Sequence, residues 1–274
     1  MMASSVTIRP LKKHEIPLLK EFAPADWNTD LAQLFSCHFG QPYFHSFAAE
    51  REGEIVGCGN VIINGEAGWL GNIIVLPPHR SQGIGSLLTA YMSDFLVRHG
   101  VRCQLLIATK MGEPMYRKLG FRTVSRYHFL RGAPLPRSKD NRLIRAIETC
   151  DIPGILELDR MCTGEERSVF LDRVGMKGFV YASTTPGRVE GYFLPTLGNG
   201  CIVAKSTAAG LALLEIKMTQ ESPSVVIPGG NSAALDFAQQ KGFQEFSTSP
   251  RMCLGSELDW KPECLFSRAT GHCG

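Results

Sequence analysis

Asn72-Ile73-Ile74-Val75-Leu76-Pro77-Pro78-His79-Arg80-Ser81-Gln82-Gly83-Ile84-Gly85-Ser86-Leu87-Leu88 is the stretch around which the rest of the chain falls into order. The apolar run to Val75 reads as a strand. Pro77 and Pro78 stop its ladder, and a loop with glycines at 83 and 85 feeds an amphipathic helix from about Gly85 to His99. Glycine lets the backbone approach a ligand closely, and the N–H groups and dipole of a helix N-terminus favour phosphate. Two glycines before a helix also describe an ordinary tight turn. Arg80 precedes the glycines at the spacing Arg-x-x-Gly-x-Gly.

Upstream, Val6 to Pro10 reads as a short strand. Ile16, Leu18, Leu19 and Phe22 have helical period, and Thr29 is placed to cap a second helix carrying Leu31, Leu34 and Phe35. The period then shortens to two. Tyr43 to Glu50, the turn at Arg51 to Glu54, and Ile55 to Ile63 form a hairpin, and Asn64-Gly65 turns the chain into the strand Gly68 to Val75. After the long helix come a strand at Gln104 to Ala108, a short helix at Pro114 to Leu119 and a strand at Thr123 to Leu130. The strand before the loop is therefore antiparallel in a meander, unlike the first strand of a dinucleotide-binding unit, and no Gly-Lys-Ser/Thr follows. The whole is an α/β fold with a mixed sheet.

In that setting the strand-loop-helix resembles the pyrophosphate-binding motif of the GNAT superfamily of N-acetyltransferases. Val75-Leu76-Pro77 fits its strand end and Arg80-Ser81-Gln82-Gly83-Ile84-Gly85 fits its Gln/Arg-x-x-Gly-x-Gly/Ala loop. Tyr116-Arg117-Lys118-Leu119-Gly120-Phe121 matches the superfamily's Tyr-x-Lys-x-Gly-Phe segment. The likeness spans roughly residues 6 to 131 and implies acetyl-CoA as cosubstrate. It implies that the pantetheine arm pairs with Ile73, Ile74 and Val75, and that Arg80, Ser81, Gln82, Gly83, Ile84, Gly85 and Ser86 form the pyrophosphate cradle. It further implies that Tyr116 serves the departing thiolate, although a tyrosine there also fits simple packing of helix on sheet. Thr109 and Gly112 depart from the Asn and Ala frequent in the family. Ala25-Asp26-Trp27-Asn28 resembles a Gly-Trp-Asn segment of one subgroup, which makes Asp26 and Trp27 candidate acceptor-site residues. Asp26, Glu66, His79 and His128 are candidates for a general base, and a water chain would serve as well.

The second half looks like a relative of the first. Ile8-Arg9 recurs as Ile144-Arg145 and Ile16-Pro17 as Ile152-Pro153, both 136 residues on, and Gly120-Phe121 recurs as Gly242-Phe243. The expected organisation is a catalytic GNAT domain at 1–131, a Pro/Gly-rich linker at 132–141 and a degenerate GNAT-like accessory domain at 142–274. Each domain should be a mostly antiparallel central sheet flanked by helices. The counterpart of the phosphate loop, near Ala204 to Leu211, lacks the Arg-x-x-Gly-x-Gly pattern, and Ala238 stands where a second Tyr116 would be.

Composition sets the remaining bounds. A chain of 274 residues, 44% hydrophobic and 20% charged, is long enough for two cores. A net charge of +3 is too small to argue for nucleic acid. The first residues lack the order of a signal peptide and no apolar stretch is long enough to span a membrane, so the expected location is the cytoplasm. Nine cysteines without a Cys-x-x-Cys pair read as buried thiols, with no metal expected. The resulting expectation is an N-acetyltransferase that moves acetyl from acetyl-CoA to a primary amine by direct attack in a ternary complex. Its partner would be a small-molecule or peptide amine, and it would be a monomer or homodimer. A non-catalytic acyl-CoA-binding or regulatory module is the alternative.

Overall fold

Pro17 decides the character of the first turns. It interrupts the α-helical hydrogen-bond ladder, and Lys13–Glu21 winds as a 3₁₀ helix that buries Ile16 and Leu19 while Leu18 faces solvent. This is seen in the computed structural model of the chain, which describes residues 5–24, 27, 29–136, 141–182 and 188–271. Asp26 lies outside the described residues. The first half contains β1 (Thr7–Pro10), α1 (Leu31–His38), β2 (Phe44–Arg51), β3 (Glu54–Asn64), β4 (Ala67–Val75), α2 (Ile84–Arg98), β5 (Cys103–Ile107), α3 (Glu113–Lys118) and β6 (Arg122–Arg131). The sequence places these elements to within a residue or two. One local reading is corrected: Asp30, not Thr29, caps α1. The Asp30 carboxylate accepts the Gln33 N–H at 2.9 Å, and the Thr29 hydroxyl donates instead to the Trp27 carbonyl.

The second half repeats the order with β7 (Ile144–Ala146), α4 (Ile152–Thr163), α5 (Ser168–Val174), β8 (Phe179–Ala182), β9 (Val189–Leu194), β10 (Cys201–Ala204), α6 (Thr207–Met218), β11 (Ser224–Pro228), α7 (Ser232–Gln240), β12 (Gln244–Gly255) and β13 (Leu265–Ser267). The repeat extends to side-chain chemistry. Arg9 holds Glu15 through two hydrogen bonds of 2.8 and 2.7 Å, and the Lys12 N–H donates to the same carboxylate. At the same spacing Arg145 holds Asp151 at 2.6 and 2.7 Å, and the Glu148 N–H donates to it.

Among the described residues the strands form two sheets, and the linker does not separate them. The larger has the order β1-β2-β3-β4-β5-β12-β6-β11, the smaller β13-β10-β9-β8-β7. β12, from the second half, is inserted between β5 and β6 of the first and is antiparallel to both, while β6 pairs on its other edge with β11. Each half thus lends its last long strand to the other. The two cores merge accordingly: Trp69 and Leu105 share an apolar cluster with Ile155 and Phe170. Arg251 of β12 is buried between two indoles, 5.0 Å from the Trp69 ring and 3.9 Å from that of Trp260. Glu165 is buried beside them, accepting from Asn64 Nδ2 at 2.8 Å and from Trp69 Nε1 at 2.9 Å. Of the described cysteines, Cys37 and Cys150 are exposed and the rest are buried free thiols. No described helix is long and apolar enough to cross a membrane.

Candidate functional site

β4 and β5 run parallel, but their pairing covers only Ala67 to Trp69 against Cys103 to Leu105. Past that point they diverge. β4 carries an irregularity there: its register against β3 shifts, and Asn72 takes a left-handed φ of 50° with its amide donating to the buried Asn60 side chain at 2.8 Å. β5 meanwhile turns to β12, the Ala108 N–H reaching the Pro250 carbonyl. The result is a wedge walled by Ile73, Ile74 and Val75 on one side and Ile107 and Ala108 on the other, opening into a cleft of about 1300 Å³. Its shape fits an extended arm laid along β4.

The loop at the mouth is built as its residues demand. Pro77–His79 forms one 3₁₀ turn, and the Arg80 Nε donates to the Val75 carbonyl at 2.9 Å, pinning the loop to the strand it leaves. Ser81 and Gly83 both have positive φ, 61° and 81°. Such alternation folds successive amides toward one side, as in an anion nest. Gly83 is the N-cap of α2 and supplies no side chain to it, and a Cβ there would meet nothing within 4 Å, so the space in front of the helix is open. Arg80, Ser81, Gly83, Ile84, Gly85 and Ser86 all line the cleft. The Gln82 side chain does not. Its Oε1 accepts from Arg51 at 2.7 Å and its amide donates to the Pro78 carbonyl, so only its backbone is left to serve the cradle.

Tyr116 lines the same cleft with 8% of its surface exposed, and burial raises the phenol above its usual range, so it holds its proton at neutral pH. The departures upstream have local reasons. A Cβ on Gly112 would fall 2.8 Å from the Tyr116 ring, and the Thr109 hydroxyl accepts the Gly112 N–H at 3.1 Å. Glycine there lets the phenol occupy its place. Trp27 lines the same cleft and packs against the core.

Of the base candidates, His79 lines the cleft, whereas Glu66 and His128 lie elsewhere. Glu66 faces Arg102 at 3.4 Å on the surface, and His128 Nδ1 lies 2.5 Å from Glu245. The cleft instead brings in His38, at the end of α1, which the sequence reading passed over. Its Nδ1 is 2.8 Å from the Tyr43 hydroxyl and its ring stacks on Phe170 of the second half. Burial, aided by the charge of Arg173, holds the imidazole below its ordinary pKa and therefore neutral. Its place at the end of a short helix beside the Trp27 segment was the available signal.

Two stretches of the chain, 42–123 and 155–267, each match a family profile described as an acetyltransferase (GNAT) domain. The chain belongs to the GNAT acetyltransferases. The match in both halves makes it a tandem GNAT protein. A solved structure from Pyrococcus horikoshii, described as a candidate acetyltransferase, superposes with a TM-score of 0.84 at 19% identity, covering 100% of this chain and 98% of that one. A tandem GNAT protein from the clavulanic acid biosynthesis pathway gives 0.62 at 13% identity, over 92% and 98%. A GCN5-related N-acetyltransferase from Sphaerobacter thermophilus gives 0.61 at 14%, over 93% and 98%. No match is found among curated proteins.

Against the GNAT frame the second half shows why its loop is missing. Only Lys205 and Ser206 join β10 to α6, and Ser206 caps that helix with its own side chain. The wedge that β4 and β5 leave open has its counterpart between β10 and β11, and there the chain's own β13 is inserted. β13 pairs antiparallel with β10, and the Arg268 N–H following it donates to Val226 of β11 at 2.8 Å. The Asn231 amide fixes the entry, donating to the carbonyls of Glu263 and Leu265 at 3.0 and 3.1 Å. No group of His, Cys, Asp and Glu fit to hold a metal occurs among the described residues.

Proposed function

We propose that this protein transfers the acetyl group of acetyl-CoA to the nitrogen of a primary amine by direct attack in a ternary complex, and that the reaction runs in the first half. The observation that carries this reading is the open β4–β5 wedge leading into a left-handed Ser81/Gly83 loop at an uncapped helix N-terminus. One extended arm and one polyphosphate match its two parts. Acetyl-CoA supplies the thioester carbonyl that the amine attacks.

The chain's own residues do the rest. Backbone amides from Ser81 to Ser86 bind the pyrophosphate, with Arg80 beside them. Backbone along Ile73 to Val75 orients the arm, so that placing the amine beside the carbonyl removes much of the entropic barrier. Tyr116, protonated, holds the proton that the departing sulfur needs. His38, neutral, accepts the proton that the amine must lose, and Trp27 walls the acceptor side. The second half lends β12 to the sheet floor and does not bind a second acetyl-CoA, its wedge being filled by β13.

The test is thiol release from acetyl-CoA across a panel of amines, with Tyr116→Phe as control. Turnover that falls roughly 10²- to 10³-fold in the variant, with acetyl-CoA affinity kept, is the expected result. Binding of acetyl-CoA without turnover on any amine would make the protein a cofactor-binding module instead.

A further inference from the structure

The loop at the mouth of the cleft is held from outside as well as from within. Arg51 is the last residue of β2, at the β2–β3 turn, and β3 lies between its strand and β4. Its Nη1 donates to Gln82 Oε1 at 2.7 Å, and Nε2 of that same glutamine donates to the Pro78 carbonyl at 3.2 Å. The Gln82 side chain is thereby fastened at both ends. On the other side of Ser81, the Arg80 side chain is fastened through its Nε to the Val75 carbonyl at 2.9 Å. Ser81 lies between these two clamped neighbours with a φ of 61°, in the left-handed region that a residue bearing a Cβ rarely enters. Such a conformation persists where its surroundings over-determine it. The Arg80 and Pro78 contacts tie the loop to itself and to the strand it leaves, whereas Arg51 ties it to a separate hairpin.

We propose that Arg51 is a positioning residue for acetyl-CoA: through Gln82 it holds the phosphate loop in its binding conformation before the cofactor arrives, without itself touching the pyrophosphate. This rests on the cofactor reading above. A loop that its ligand must order gives up part of the binding free energy to that ordering, and a loop already held keeps it. The groups at stake are the backbone N–H donors from Ser81 to Ser86, which serve an anion only while the alternating backbone keeps them on one side. A guanidinium suits the task, because it stays charged and its hydrogen bonds are directional and stronger than those of a neutral donor. Arg51 does not line the cleft, so its influence reaches the cofactor through the loop. Gln82 is the neutral link in this chain. Cutting it there leaves the charge of Arg51 in place, and the brace can be told from simple attraction between a cation and a phosphate.

The experiment compares the wild type with Arg51→Met, Gln82→Leu and the double variant. Calorimetry measures acetyl-CoA binding, and thiol release measures turnover with acetyl-CoA and with the acetyl thioester of N-acetylcysteamine, a short donor that lacks the pyrophosphate. Each single variant should weaken acetyl-CoA binding roughly tenfold and raise its KM by as much, with kcat kept and the short donor used as well as before. The double variant should bind no more weakly than either single one, since both cut the same chain. Arg51→Lys, which keeps a charged donor, should recover part of the loss. In the ligand-free single variants the amides of residues 79–86 should exchange faster than in the wild type while Tm stays near its value. A loss in Arg51→Met that Gln82→Leu does not share, and that shrinks at high salt, would make Arg51 a direct electrostatic contact and overturn the brace. Unchanged affinity and unchanged exchange in both single variants would overturn it too. If the wild type binds no acetyl-CoA, the cofactor reading fails separately, and the exchange comparison, which needs no ligand, still decides whether Arg51 holds the loop.

Discussion

The ring of Phe266 in β13 lies directly against Gly210 in α6, at a place where any Cβ on residue 210 would overlap it. Glycine inside a helix costs about 1 kcal/mol relative to alanine, so its presence there answers the close approach of the strand that fills the second wedge. Gly210→Ala should therefore destabilise the protein by about 1–3 kcal/mol despite the gain in helix propensity. A double-mutant cycle with Phe266→Ala checks the cause: the double variant should lose less than the two single losses added together. Additive losses would mean that the two residues do not constrain one another.

Gly83 poses the opposite case. Its φ of 81° places it in the left-handed region, but nothing lies within 4 Å of a Cβ built on it. Gly83→Ala should cost about 1–2 kcal/mol of backbone strain and little affinity. Gly83→Glu adds a side chain and a negative charge in the path of the pyrophosphate, and should weaken acetyl-CoA binding by 100-fold or more with only a modest further fall in Tm. Calorimetry measures both variants. An unchanged Kd in Gly83→Glu would remove the cofactor from this loop.

His38 sets an expectation for pH. As the proton acceptor it must be neutral, so kcat/KM should fall on the acid side with a midpoint below 6.5, because burial and Arg173 both lower its pKa. Arg173→Gln removes one of the two influences and should move that limb to higher pH. His38→Gln should lower the rate and abolish the limb. A pH profile unaltered in both variants would exclude His38 as the base.

Much of the first half was legible because its determinants are local. Asn64-Gly65 makes a tight turn wherever it occurs between strands, Pro77 ends a ladder by lacking an N–H, and Ser81 and Gly83 sit in a loop whose spacing carries its chemistry. What escaped the sequence is non-local. Nothing in Gln244 to Gly255 tells that this strand will sit between β5 and β6 rather than within its own half, since alternation fixes which face is buried and not which strand is the neighbour. The short run Leu265-Phe266-Ser267 has no periodicity to read, and its importance comes from the gap it fills. His38 is a single polar residue on an unremarkable segment, and only the meeting of the halves stacks it on Phe170 in the cleft.

That meeting is fastened at Glu165, and its pH response follows from the sign of its shift. Burial raises the carboxyl pKa above 4.5, against the opposing pull of Arg167 and Arg251 and of the hydrogen bonds from Asn64 and Trp69. A carboxyl whose folded pKa is raised is more easily ionised in the unfolded chain, so stability falls as pH rises from the unfolded value through the folded one. Gln does not titrate and keeps an oxygen for the two donors. Glu165→Gln should thus match the wild type near pH 4.5 and become the more stable of the two as pH approaches 7. Glu165→Ala leaves the Asn64 and Trp69 donors without an acceptor and opens a void, and should cost about 2–4 kcal/mol at every pH where the protein folds. Thermal melts of the three proteins between pH 4.5 and 8 test this. A wild-type advantage over Gln that grows with pH would mean that Arg167 and Arg251 outweigh burial, and that the charge at Glu165 binds the two halves together.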